Sequence, residues 1–302
     1  MAETLQGILP VLPTPFDAAG AIEPEAMPRL VRFALDAGVH GVVFPGFASE
    51  VEHLTADERL ALLKSVADAV GGAVPIVAGA SGPDVAAVVA HGRAAAELGV
   101  PWLMVQPPKS LGSGADAVIG FMAEVVVGLP ESKFVLQNAP APRGSDLSAD
   151  TLRKLANAVP QIAYVKEETL PSGPSISALL DEPPASLRGV IGGGGARYIL
   201  DEYERGACAA MPALELADEH VTLDRAWRSG DRATARSIYV RTLPLLVLQA
   251  VYRMRLTKHT LVRRGVLENK IVRAPTPEMD AAAVAHIDAN LAELGLIPAA
   301  PA

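Results

Sequence analysis

Cysteine is nearly absent: Cys208 is the single one in 302 residues. An internal disulfide and a cysteine-built zinc site are therefore excluded. The six histidines are scattered, with no i,i+4 pair and no metal spacing. No metal is expected, and the histidines read as structural or solvated. Positive charge is in deficit, with a formal net charge of -8. That balance argues against nucleic acid or an anionic membrane as a partner. An anionic substrate would have to be caught by local donors, not by the overall field. No apolar run is long enough to span a membrane. The start, Met1-Ala2-Glu3-Thr4, lacks the basic residues and apolar run of a signal peptide. A soluble, cytoplasmic protein is expected. Lysine is scarce as well, seven in all, which narrows the search for a reactive amine.

What is present is apolar residue, 50% of the chain, enough to bury one large core. Short apolar runs alternate with helical periodicity. The strand-like runs are Ile8–Leu12, Val42–Phe44, Val74–Ala78, Trp102–Val105, Lys133–Gln137, Ile162–Val165, Gly189–Ile191 and Ala207–Met211. Between them lie helical patterns with start signals: Thr55 and Glu58 form a capping box, and Asp84 and Ser148 suit N-caps. Gly38 suits a C-terminal cap. Eight strand–helix units predict a (β/α)8 TIM barrel over residues 1–221. From 222 to 302 only helical periodicity continues, which predicts a C-terminal helical segment packed on the barrel. An open doubly wound sheet would want a glycine-rich phosphate loop after the first strand. This chain has Pro13-Thr14-Pro15-Phe16 there.

The run Ile162-Ala163-Tyr164-Val165 leads straight into Lys166, and Pro171, Gly173 and Pro174 are expected to stop regular structure beyond it. Among the lysines, Lys166 alone ends an apolar strand. At the C-terminal end of a barrel strand an amine is partly desolvated, which lowers its pKa toward nucleophilic use. The competing reading is a lysine that snorkels from the strand end. In a barrel the same mouth collects Thr14, the Phe47-to-Glu50 loop, Gln137 and Gly192 to Gly195. The glycine run lacks the lysine and hydroxyl of a P-loop, and reads as a turn that leaves room for a ligand. Glu50 reads first as an anchor for its loop. Strand alternation turns Glu167 away from Lys166.

Pro13-Thr14-Pro15-Phe16, Gly46-x-x-x-Glu50 with Leu54 and Glu58-Arg59, Asn138-x-Pro140 and Lys166-Glu167 occur in this order. Together they resemble the dihydrodipicolinate synthase/N-acetylneuraminate lyase superfamily over nearly the whole chain. The resemblance implies an eight-stranded barrel with a C-terminal helical segment, and a homo-oligomer, tetramer or dimer. It also implies a Schiff base between the strand-six lysine, here Lys166, and a small 2-oxo acid, with no cofactor. Three departures stand out. Gln137 replaces the proton-relaying tyrosine, Phe47-Ala48-Ser49 replace a Thr-Thr-Gly stretch, and the following arginine is shifted by one to Arg143. Ser49-Glu50 with Leu54-Thr55, Gln137-x-Ala139-Pro140-Ala141 and Ala163-Tyr164-x-Lys166-x-Glu168-Thr169 resemble the 2-keto-3-deoxy-L-arabonate dehydratase branch more closely. Asn138 departs from the Asp expected in that branch.

The resemblance thus implies a Schiff-base lyase that dehydrates a 2-keto-3-deoxy sugar acid. Its expected catalytic residues are Lys166 and Gln137. Its expected substrate-binding residues are Phe47, Ala48, Ser49, Asn138, Gly192 and Gly193. A pyruvate-dependent aldolase or a dihydrodipicolinate synthase-type condensing enzyme is the alternative, and a non-catalytic 2-oxo-acid-binding barrel is a third.

Overall fold

The structure is a computed structural model that describes residues 4–298. Met1 to Glu3 of the expected start, and the Ala-Pro tail from 299, lie outside the described residues. The strands are β1 (Gly7–Ile8), β2 (Val42–Val43), β3 (Ile76–Gly79), β4 (Trp102–Val105), β5 (Lys133–Asn138), β6 (Ile162–Glu167), β7 (Gly189–Gly192) and β8 (Ala209–Ala210). The helices are α1 (Met27–Ala37), α2 (Ala56–Val70), α3 (Val85–Glu97), α4 (Ala115–Gly128), α5 (Ala149–Ala158), α6 (Ser172–Asp181), α7 (Ile199–Glu204), α8 (Ala217–Arg228), α9 (Arg232–Tyr252), α10 (Met254–Arg263) and α11 (Ala281–Glu293). Eight strands, each followed by a helix, and three further helices make the expected (β/α)8 barrel class with a C-terminal helical segment. Residue 221, taken from sequence as the end of the barrel, sits inside α8.

The chain divides into two compact units. One holds residues 4–6, Pro75–Gly194 and Tyr198–Met211. Its strands β3 to β8 pair in parallel and in chain order, with Trp102 opposite Lys133, Gln137 opposite Lys166 and Lys166 opposite Ile191. Trp102 and Tyr164 pack edge to face in its core, their centroids 5.5 Å apart, and the Tyr164 hydroxyl accepts from the Leu5 N–H. The Ser148 and Asp84 caps form as the sequence predicts, each accepting from the N–H three residues on. The helix after β6 starts earlier than expected, at Ser172, and includes Gly173 and Pro174. First-turn N–H groups have no partner within a helix, so a proline there forfeits no hydrogen bond.

The other unit holds Gly7–Val74, Gly195–Arg197 and 212–298. The expected strand Ile8–Leu12 shrinks to Gly7–Ile8, with two isolated parallel bridges, from Val11 to Val43 and to Ala213. Pro10 has no N–H to give the ladder. The Thr55–Glu58 capping box at the head of α2 is formed in both directions.

Candidate active site

Ile162 to Val165 are buried without exception, and the strand they form carries Lys166 to its end at 3% exposure. One strand step later Glu167 faces the other way, as alternation requires. Thr169 donates to it from both N–H and hydroxyl, and Asn138 donates to its second oxygen at 2.9 Å. Glu168 returns to the Lys166 side, its N–H held by the Asn138 carbonyl at 2.9 Å.

Glu168 is the hub. Its Oε1 lies 3.3 Å from Lys166 Nζ. Its Oε2 accepts from Gln137 Nε2 at 2.6 Å and from Arg143 Nη2 at 3.3 Å. Burial pushes the Lys166 amine below the ordinary lysine value, with Glu168 pulling against it and Arg143 adding to the drop. For Glu168, burial alone would raise the carboxyl. The charges of Lys166 and Arg143 and the Gln137 amide outweigh that and hold it below the usual carboxylate range. The result is a desolvated amine beside an ionised, three-fold-braced carboxylate.

Of the residues expected from sequence, the structure brings Lys166 and Gln137 together as neighbours on β6 and β5. Asn138 is adjacent, but both its amide protons are engaged, one by the Leu147 carbonyl and one by Glu167. Its oxygen accepts from the Leu147 N–H at 2.9 Å. It holds the 139–147 loop in place. Gly192 and Gly193 do not open a vacant turn: a Cβ at Gly192 would collide with Glu202 Oε2, and one at Gly193 with Glu168 Cγ. Their smallness makes room for carboxylates.

Phe47, Ala48 and Ser49 belong to the other unit, where they form a short 3-10 turn. Ser49 is spent within it. Its N–H donates to the Gly46 carbonyl at 3.0 Å, its hydroxyl accepts from the Gly46 N–H and donates to the Leu12 carbonyl, and its carbonyl accepts from Thr14. Glu50 follows with left-handed backbone at φ 59. As an anchor it reaches further than its own loop: Oε2 accepts from the N–H groups of Arg273 and Ala274, and Oε1 pairs with Lys258 at 2.7 Å.

Two groups do not stand out in the sequence. Glu168 shows there only as a residue following Lys166, although Lys166 and Glu168 at i and i+2 share a strand face. Glu202 does not show at all. Its signal is a carboxylate set between Ile199 and Tyr203 on the buried face of α7. Among the described residues no group of three or more His, Cys, Asp or Glu could hold a metal ion. Nor is any helix among them long and apolar enough to cross a membrane.

The profile of the dihydrodipicolinate synthetase family matches residues 4–294. The L-2-keto-3-deoxyarabonate dehydratase of Azospirillum brasilense is 30% identical over 280 residues, covering 91% of this chain and 89% of the relative. A 4-hydroxy-tetrahydrodipicolinate synthase of Stenotrophomonas maltophilia is 36% identical over 179 residues, 59% of each chain. The crystal structure of a dihydrodipicolinate synthase from Rhodopseudomonas palustris superposes with a TM-score of 0.88 at 24% identity, covering 95% of this chain and 97% of that one. At that identity it supports the fold alone.

Proposed function

This chain belongs to the dihydrodipicolinate synthetase family and is a class I lyase, and on that premise we propose that it dehydrates a 2-keto-3-deoxy sugar acid such as 2-keto-3-deoxy-L-arabonate. The observation that carries the reading is the Glu168 carboxylate 3.3 Å from Lys166 Nζ. It supplies the acid–base group that Gln137, an amide with no useful pKa, cannot be.

The neutral Lys166 amine adds to the C2 ketone, and loss of that oxygen as water leaves a protonated imine. The imine drains electrons from C3, whose proton passes to Glu168. The enamine then expels the C4 hydroxyl, which leaves as water with the proton that Glu168 returns. The imine is hydrolysed to free Lys166, and tautomerisation gives 2-oxoglutarate semialdehyde from the five-carbon acid. Gln137 and Arg143 act through Glu168, holding its carboxylate beside Lys166 before the first transfer and after the second. A homo-oligomer, tetramer or dimer, belongs to the same reading.

Retro-aldol cleavage needs a base at the C4 hydroxyl, whereas dehydration needs one at C3, closer to the imine nitrogen. A carboxylate beside the lysine favours the second. The 36% identity to a synthase over 179 residues keeps condensation or aldol cleavage as the alternative. A panel of 2-oxo sugar acids, coupled in parallel to lactate dehydrogenase and to a semialdehyde dehydrogenase, decides between them. Semialdehyde should form faster than pyruvate; the reverse order would make the enzyme an aldolase.

A further inference from the structure

Behind the Lys166–Glu168 pair lies a second buried carboxyl that the mechanism above does not use. Glu202 sits on α7 at 1% exposure. Its Oε1 accepts from the Ser172 hydroxyl at 2.9 Å, and its Oε2 lies buried without a hydrogen-bond partner. The backbone of Gly192 passes so close that a Cβ there would strike Oε2, while Gly193 presses on Glu168 from the same turn. One glycine pair is therefore wedged against two carboxyls.

We propose that Glu202 is a positioning residue for the lysine: uncharged, it pins the Gly192–Gly193 turn against Glu168 and leaves Lys166 facing a single carboxylate, and its ionisation slows the amine. The inference rests on the Schiff-base reading given above. Burial raises the Glu202 carboxyl to about 7, against the pull of Ser172 and the Gly193 N–H. The charged groups facing it are Lys166 and Glu168 of β6 and, on its own helix, Asp201, which accepts from Arg205 Nε at 2.9 Å. From β7 it meets Gly192, and from α6 the neutral Ser172.

The sign follows. An ionised Glu202 adds negative charge near Lys166 and favours its ammonium form. As pH rises, the wild-type lysine gains reactivity from its own deprotonation and loses some of it to Glu202. Glu202→Gln keeps an acceptor for Ser172 and stays neutral throughout. The experiment is the rate of covalent labelling of Lys166 by pyruvate and borohydride, followed from about pH 6 to about pH 9 in wild type and in Glu202→Gln. The two rates should agree at the acid end, and the variant should lead by roughly threefold or more at the alkaline end. Ser172→Ala removes a donor to the carboxylate, so it should move the wild-type break to higher pH. Profiles that differ by one constant factor at every pH would reduce Glu202 to packing and overturn the inference while leaving the Schiff base intact. Absence of label on wild-type Lys166 at any pH would remove the Schiff-base reading itself, and the inference with it.

Discussion

Two lysines are buried among the described residues, one in each compact unit, and each faces a glutamate. Lys166 is 3% exposed and stands 3.3 Å from Glu168; Lys258 is 1% exposed and stands 2.7 Å from Glu50. Burial lowers both amines, Lys258 to about 8. They differ in how well the ammonium is served. Lys258 also donates to the Ile271 carbonyl at 2.6 Å and lies 4.2 Å over the Phe16 ring. Glu50 in turn accepts two backbone N–H groups from Arg273 and Ala274. Every group in that cluster is occupied by protein, which is the signature of a clasp. Glu168, by contrast, divides its charge among Lys166, Gln137 and Arg143. Desolvation alone does not make a reactive lysine; a desolvated lysine whose counter-ion stands 3.3 Å off and is shared with two other donors is one.

The hardest test of that contrast is to remove each amine. Lys166→Ala should abolish borohydride labelling and lower kcat/KM by roughly 10³-fold or more, with the fold unchanged by circular dichroism. Label appearing on Lys258 instead would show that the clasp is as reactive as the site. Next in size, Glu168→Gln should still be labelled by pyruvate but lose roughly 10²–10⁴-fold in turnover. A variant that dehydrates at the wild-type rate would remove Glu168 from proton transfer.

The contrast also explains what was legible in the sequence. Lys166 stood out because a four-residue apolar run ends on it, and its burial follows from strand placement alone. The barrel class was legible for the same reason, since apolar runs and helical periodicity are local. Glu168 needed one more local rule, the i,i+2 strand face. Glu202, Arg273 and Lys258 could not be read this way. Their partners lie 30, 223 and 208 positions off in the chain, at Ser172, Glu50 and Glu50 again, and no periodicity encodes a tertiary polar contact. The glycines at 192 and 193 were visible as permissive backbone, but what fills the space beside them depends on side chains arriving from α7 and β6.

A smaller effect is expected when the clasp is opened. Lys258→Met leaves Glu50 buried with a charge that two N–H groups alone must hold. Breaking one side of a buried pair costs roughly 3–5 kcal/mol of unfolding free energy, read from urea denaturation. Lys258→Met combined with Glu50→Leu should recover part of that loss. In both variants the folded protein should keep its pyruvate label on Lys166. Loss of label without loss of stability would mean that the clasp takes part in the chemistry.

The smallest expected effect lies at the outer edge of the clasp. The Arg273 guanidinium donates to both oxygens of Glu58, at 2.7 and 2.9 Å. Those bonds hold the Glu58 carboxyl at about 2, against burial that would raise it. A carboxyl depressed in the folded state stabilises the fold above its unfolded value of 4.5. That contribution is lost as pH falls from there toward 2. Glu58 and Arg273 are 21% and 26% exposed, so solvent screens the pair and the stake is about 1 kcal/mol or less. Arg273→Met should therefore be destabilised at neutral pH, and its deficit against wild type should shrink as pH falls through that window. Thermal unfolding of the two proteins between about pH 6 and about pH 3 reads the difference directly. A deficit that stays constant across the window would mean that Arg273 serves the clasp through its stacking on Phe16 and its bonds to the Gly20 and His53 carbonyls, and that its charge on Glu58 contributes nothing.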